Sequence, residues 1–314
     1  MKPKADQGDE GMITEIFRLY PDREDVTLTT YIIADRGELH ALGNRPAVLI
    51  CPGGGYFNCS DREAEPVALA FAAMGYHAFV LRYSTWMEGR EELPDFENIC
   101  LKPHLAHPAP VREIGMAFML IRKHCTAWKV DMKRIAVCGF SAGAHNTAMY
   151  GVYWNQPLVT EALGVDAEAI QPAAQLLCYP VTDYLFMKDN VKKQSIEDQM
   201  YFEGSTRAFL GKDDFTERDL YRISPSRLVT GTTPPTFLWG TSTDQMVPIQ
   251  HTLRMAHALA EANVPFEAHI YEGGPHGLSL AISASATKPD LVNAHAAKWI
   301  QEANEWLKKR FGDV

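Results

Sequence analysis

Nine residues limit this chain more than any others: Val137-Cys138-Gly139-Phe140-Ser141-Ala142-Gly143-Ala144-His145. Residues 135–138 form a short β-branched, apolar run, the pattern of a buried strand. Residues 142–150 can form a helix. Between them lies Gly-x-Ser-x-Gly, so the reading is strand, tight turn, helix. A Cβ at either glycine would collide with the neighbouring strand or helix. The turn pushes the Ser141 hydroxyl out above the sheet edge, at a helix N-terminus. The Ala142 N–H is left free to face a developing oxyanion. Glycine and serine are common, so the weight of the pattern rests on its flanking elements and on partners elsewhere in the chain.

Those elements recur along the chain. Met12 to Leu19 reads as a first strand and Val26 to Ile33 as a second, with a turn at Asp35-Arg36-Gly37. Together they form an antiparallel pair leading into the sheet. Pro46 to Cys51 is continuously apolar, as a strand buried on both faces must be. It runs into Pro52-Gly53-Gly54-Gly55-Tyr56, where three glycines let the backbone approach a ligand and point N–H groups at it. Ser60-Asp61-Arg62-Glu63 has the form of a capping box for a helix reaching Met74. A start near Glu65, with Pro66 in the first turn, is the alternative. Ala78 to Leu81 is a further strand, and Ser84 to Leu105 a long irregular loop. A helix begins at Val111. After the central turn comes a sixth strand, Ala174 to Tyr179. Val181 to Thr233 then breaks the rhythm and reads as a small helical insert over the site within a single 1–314 domain. Thr236 to Gly240, a helix over Pro248 to Ala262, Phe266 to Tyr271 and a helix over Leu291 to Phe311 complete the pattern. Trp299 and Trp306 belong to its packing. The alternation predicts an α/β fold with a mainly parallel central sheet flanked by helices.

A chain of 314 residues, 46% hydrophobic, can bury one large core. Its net charge of −9, with no basic run, argues against a nucleic-acid partner. No stretch approaches the roughly 18 apolar residues of a membrane span, and the N-terminus carries no apolar leader, so a cytoplasmic protein is expected. The six cysteines show no paired spacing. Cys51, Cys138 and Cys178 sit in strand-like runs as small hydrophobes.

A serine hydroxyl needs a base to take its proton and an acid to orient that base. His276, in Glu272-Gly273-Gly274-Pro275-His276-Gly277, follows the last strand on a glycine-rich loop and is the best-placed base. His145 is close in sequence but should point away from the hydroxyl. His251 and the remaining histidines read as structural or surface residues. Asp244, in Thr241-Ser242-Thr243-Asp244, follows the preceding strand and is the expected acid, with Asp183 as the fallback. The oxyanion donors would be the N–H groups of Gly54, Gly55 and Ala142. Tyr56, Phe57 and Trp86, with Tyr201 and Phe202 of the insert, are candidates for an aromatic floor under a substrate.

Pro52-Gly53-Gly54-Gly55-Tyr56, Ser60 to Pro66, Gly139 to Gly143, Thr241 to Asp244 with Val247-Pro248, and His276-Gly277 together resemble the α/β-hydrolase superfamily. More narrowly, they resemble its esterase/lipase branch with the acetylxylan esterase-like carbohydrate esterases. The resemblance implies the α/β-hydrolase fold and hydrolysis of small carboxylic esters, often acetyl groups on sugars. It implies no cofactor and no metal. The partner would be a small-molecule ester, and a homo-oligomer stays open. A broader carboxylesterase or lipase, or a prolyl-oligopeptidase-like peptidase, would use the same three residues. A non-catalytic binding protein on this scaffold would have no need of them. Many relatives carry histidine where this chain has Pro52, and a glycine is frequent where it has Ala144. Neither side chain supplies the donors.

Overall fold

The computed structural model describes residues 11–35, 43–90, 92–96 and 98–312. The turn expected at Asp35-Arg36-Gly37 falls outside the described residues from position 36 onward. The strands are β1 (Met12–Ile13), β2 (Ile16–Arg18), β3 (Thr27–Ile33), β4 (Arg45–Cys51), β5 (His77–Arg82), β6 (Val130–Phe140), β7 (Ala174–Cys178), β8 (Thr236–Thr241) and β9 (Phe266–Tyr271). The helices are α1 (Glu65–Ala73), α2 (Ala109–Trp128), α3 (Ala142–Tyr153), α4 (Pro157–Leu163), α5 (Tyr184–Asn190), α6 (Ile196–Leu210), α7 (Glu217–Arg222), α8 (Gln250–Glu261) and α9 (Trp299–Phe311).

The sheet order is β1-β3-β5-β4-β6-β7-β8-β9, with β2 also on β3. From β5 to β9 every neighbouring pair is parallel, and β1 to β3 form the antiparallel edge. The first predicted strand is therefore two short ones, each pairing with a different end of β3. The insert follows β7 rather than a sixth strand.

The apolar strands sort their residues by the two-residue period of a pleated sheet. On β4, Val48 and Ile50 face a core with Phe71 of α1 and Trp299 and Trp306 of α9. Ala47, Leu49 and Cys51 face the other core, with Phe118 and Ile121 of α2 and Tyr150 of α3. Trp299 stacks on Trp239 of β8 at 5.5 Å between ring centroids, so the C-terminal tryptophans pack as expected. Cys51, Cys138 and Cys178 are buried thiols.

One helix start departs from the sequence reading by more than two turns, and another takes the alternative start. The final helix begins at Trp299, not Leu291. The Asn293 side-chain oxygen accepts the N–H groups of His295 and Ala296, both at 3.0 Å, and this local bonding competes with an earlier helical turn. The helix after the triple glycine begins at Glu65 with Pro66 in its first turn, and Ser60 makes no capping bond. Glu63 is drawn inward instead. No helix among the described residues is long and apolar enough to cross a membrane.

Candidate active site

The β6–α3 turn is as tight as its glycines require. A Cβ on Gly139 would fall on the Gly143 carbonyl, and one on Gly143 on the carbonyls of Cys51 and Pro52. Ser141 itself has φ 51° and ψ −116°, a conformation that L residues rarely adopt. Backbone strain of this kind persists only where the surroundings impose it. Here the Ser141 N–H is fixed to the Cys178 carbonyl at 3.0 Å and its carbonyl accepts the His145 N–H at 2.9 Å.

Three loops at the carboxyl ends of the strands converge on this turn. Ser141 Oγ lies 2.7 Å from His276 Nε2, and His276 Nδ1 lies 2.6 Å from Asp244 Oδ2. The other Asp244 oxygen accepts the Val247 N–H at 2.9 Å. The carboxylate fixes the imidazole with Nδ1 protonated, which turns the lone pair of Nε2 toward the serine. The loops carrying the two groups are tied directly. Thr241 donates to the Gly274 carbonyl at 2.8 Å, and the Gly274 N–H donates to Thr243 at 2.9 Å. Burial disfavours the charged form of His276. The Asp244 charge and hydrogen bond, with the Glu63 charge, outweigh it and hold the imidazole above its ordinary value.

The fallback acid is committed elsewhere. Asp183 caps α5 through the Phe186 N–H at 3.0 Å and pairs with Arg227 at 2.9 Å and Arg254 at 3.3 Å. His145 points away from the serine, bridging the Tyr56 hydroxyl at 2.6 Å and the Ile223 carbonyl at 2.8 Å. Burial drives it down to about 3, so it stays neutral. His251 is likewise buried and accepts the Thr182 N–H at 3.1 Å.

Pro52 has a support of its own: its carbonyl accepts the Tyr83 hydroxyl at 2.6 Å. Gly54 and Gly55 take φ 130° and 61°, which the glycines permit. Gly55 and Ala142 line a small cavity with Ser141, and Gly54 does not. Among the described residues, the N–H groups of Gly55 and Ala142 have no hydrogen-bond partner. The cavity measures about 30 Å³, and its other walls include Val181, Tyr184, Met187, Tyr201, Phe202 and Val247. Most of that wall comes from the insert.

The aromatic floor expected from the sequence is corrected. Tyr56 and Phe57 are 2% and 1% exposed and do not reach this cavity. Tyr56 turns beneath the loop onto Phe209 and His145, and Phe57 packs on Phe96 and Tyr201. Trp86 lies over Lys102 on a separate surface depression. Tyr201 and Phe202 do line the cavity.

Glu63 was missed. It is 3% exposed, and its two oxygens accept the Gly53 N–H at 2.8 Å and the Tyr179 hydroxyl at 2.7 Å. Tyr179 in turn accepts the Ser279 N–H at 2.8 Å and sets its ring edge-on to His276 at 5.2 Å. One carboxylate thus joins the glycine loop to the histidine loop. The one available signal was Pro66, which sits poorly in a capping box at Ser60. Glu63→Gln keeps the shape and removes the charge, so the imidazole loses one of the groups that raise it. A reaction requiring neutral His276 should then extend to lower pH. The acidic limb of kcat/KM should move down and kcat should fall about tenfold as the loops loosen. A pH profile with the limb unmoved would contradict this role.

A family model described as BD-FAE matches residues 98–259. The chain is 31% identical over 243 residues to a protein named endo-1,4-beta-xylanase B from Butyrivibrio fibrisolvens, covering 76% of this chain and 33% of that protein. It is 23% identical over 234 residues to an acetylxylan esterase from Xylanibacter ruminicola, covering 74% and 40%. It thus spans only about a third and two fifths of these two curated relatives. Among solved structures, a carboxylesterase from Lactobacillus plantarum superposes with TM-score 0.75 at 28% identity, over 95% of this chain and 98% of that one. An acetyl ester-xyloside bifunctional hydrolase from Caldicellulosiruptor lactoaceticus gives 0.69 at 28% identity, over 96% and 98%.

Proposed function

Because the chain belongs to the BD-FAE family, an α/β-hydrolase esterase family, we propose that it is a serine carboxylesterase releasing small acyl groups, acetyl above all. A carbohydrate, such as an acetylated xylo-oligosaccharide, is the proposed alcohol part. The observation that carries the reading is the bonded series from Ser141 through His276 to Asp244, at 2.7 and 2.6 Å, opening on a cavity of about 30 Å³.

In this reading Ser141 Oγ attacks the ester carbonyl as His276 Nε2 takes its proton. Asp244 stabilises the imidazolium. The N–H groups of Gly55 and Ala142, with Gly54 behind them, receive the charge that develops on the carbonyl oxygen. His276 returns the proton to the leaving alcohol, and the acyl group stays on Ser141. A water activated by the same imidazole then releases the acid. The segment 181–233 acts as a cap that limits the acyl group.

The size argument is direct. At about 30 Å³ the cavity is small, which favours a short acyl group over a long alkyl chain. Across p-nitrophenyl acetate, butyrate and octanoate, kcat/KM should fall about tenfold at the first step and at least about 100-fold by the last, the size of penalty that a misfitted pocket imposes. Equal rates for acetate and octanoate would remove the small-acyl part. Acetate release from acetylated xylo-oligosaccharides, against acetylated glycerol, tests the sugar.

A further inference from the structure

The insert contributes more than a wall to this cavity. Its longest helix, α6, is started by Ser195, whose hydroxyl accepts the Asp198 N–H at 3.1 Å. One turn further on, Tyr201 points back toward the glycine loop. Its ring is wedged between Phe57 and Phe96, with centroids at 5.2 and 5.4 Å, both near edge-on. That wedge fixes where the hydroxyl ends. A Cβ placed on Gly55 would meet the Tyr201 oxygen first and Cζ next, at 2.7 Å. The phenol therefore lies against the backbone of Gly55, and both line the cavity that holds Ser141 and Ala142.

Fully buried phenols normally find a partner in the protein, and Tyr201 is only partly buried. The hydroxyls of Tyr76, Tyr83, Tyr150 and Tyr179 do so, on Asn304, Pro52, Ile170 and Glu63. Among the described residues, the Tyr201 hydroxyl has no hydrogen-bond partner. It is a donor held against the glycine loop, on the wall of the cavity that also holds Ser141 and Ala142.

We propose that Tyr201 is a further catalytic residue, whose hydroxyl donates a hydrogen bond to the oxyanion alongside the N–H groups of Gly55 and Ala142. The inference rests on the esterase reading of Ser141. No proton leaves the phenol. The donated bond tightens as the ester carbonyl becomes a tetrahedral oxyanion and relaxes when the carbonyl reforms. Burial, with the Glu63 charge, pushes Tyr201 up to about 12, so it remains a protonated donor wherever His276 works as a base. This also gives the insert a chemical reason to stay seated, because lifting α6 would remove one donor of three.

Tyr201→Phe keeps the ring and its wedge and deletes one oxygen. Loss of a single preorganised donor costs about 10²-fold or more in kcat, with KM nearly unchanged. The same factor should appear in the affinity of a trifluoromethyl ketone, which forms a hemiketal oxyanion on Ser141. The melting temperature and the pH limb of His276 should stay in place, which a merely structural loss would not leave intact. Y201F within about threefold of wild type in kcat, with undiminished trifluoromethyl ketone affinity, overturns the proposal. Failure of the parent reading looks different: wild-type protein would neither hydrolyse p-nitrophenyl acetate nor be labelled at Ser141 by a fluorophosphonate.

Discussion

Ser141→Ala is expected to lower kcat for p-nitrophenyl acetate by about 10⁵–10⁶-fold, with KM shifted only a few fold. Among the hydroxyls on the cavity wall in the described residues, Ser141 is the one bonded to an imidazole, His276 at 2.7 Å, that can take its proton. The substitution removes only the oxygen. Alanine has the same Cβ as serine, so the φ of 51° costs the variant no more than the parent, and the flanking glycine contacts are unchanged. The cavity keeps its shape and its free N–H groups, which is why binding should survive when turnover does not. Steady-state kinetics and fluorophosphonate labelling together decide the point. Activity within tenfold of wild type would end the serine-esterase reading, and with it the roles given to His276 and Asp244.

How much of this was legible depended on how local each requirement is. The β6–α3 turn could be read because its pattern spans five residues: Gly139 is forced by the Gly143 carbonyl of the same turn, although Gly143 is forced by the Cys51 and Pro52 carbonyls at the end of β4. The buried strands were legible because continuous apolar runs such as 46–51 have few other uses. Asp244 and His276 were singled out by their place after β8 and β9, a rule of topology rather than of local chemistry, and the fold brings them within 2.6 Å of each other. Glu63 obeyed no such rule. Its partners, Gly53 and Tyr179, lie 10 and 116 residues away, and its local pattern imitated a helix start. Tyr56 and Phe57 were misplaced for a related reason. Adjacency to a glycine loop suggests the site, but Tyr56 at φ 62° turns its side chain under the loop, onto His145. The cavity's aromatic wall comes from α6, a segment whose position over the site depends on the folded insert and not on any sequence period.

The site is therefore held from two sides. Below the turn, Glu63 and Tyr179 bind the glycine loop to the histidine loop through bonds of 2.7 and 2.8 Å. Arg62 adds bonds to the Gly277 and Ser285 carbonyls at 2.9 and 2.7 Å. Above it, α6 rests Tyr201 on Gly55. An oxyanion pocket pays no reorganisation cost in the transition state when its donors are fixed beforehand. These two ties fix the same loop of glycines, which otherwise has the freest backbone in the site.

Asp244→Asn is expected to lower kcat by about 10⁴-fold, the penalty when the base is left in the wrong tautomer. The His276 ring presents Nδ1 to Asp244 at 2.6 Å, and only a carboxylate both accepts that N–H and meets the positive charge that forms during the reaction. An amide turned with its nitrogen toward Nδ1 would draw the proton to Nε2, and Nε2 could no longer take one from Ser141. The pH dependence gives an independent sign. The Asp244 charge and hydrogen bond raise His276 against the effect of burial. With asparagine, burial is left less opposed, so the imidazole falls and the acidic limb of residual kcat/KM should move to lower pH. Asp183→Asn separates this from any loss of a buried carboxylate. Asp183 caps α5 and pairs with Arg227 and Arg254, so that variant should lose about 1–3 kcal/mol of stability while kcat stays within a few fold. If Asp183→Asn instead lost turnover and Asp244→Asn kept it, the acid would have been assigned to the wrong loop. Asp244 would then serve only to cap the segment at Val247, whose N–H it accepts at 2.9 Å.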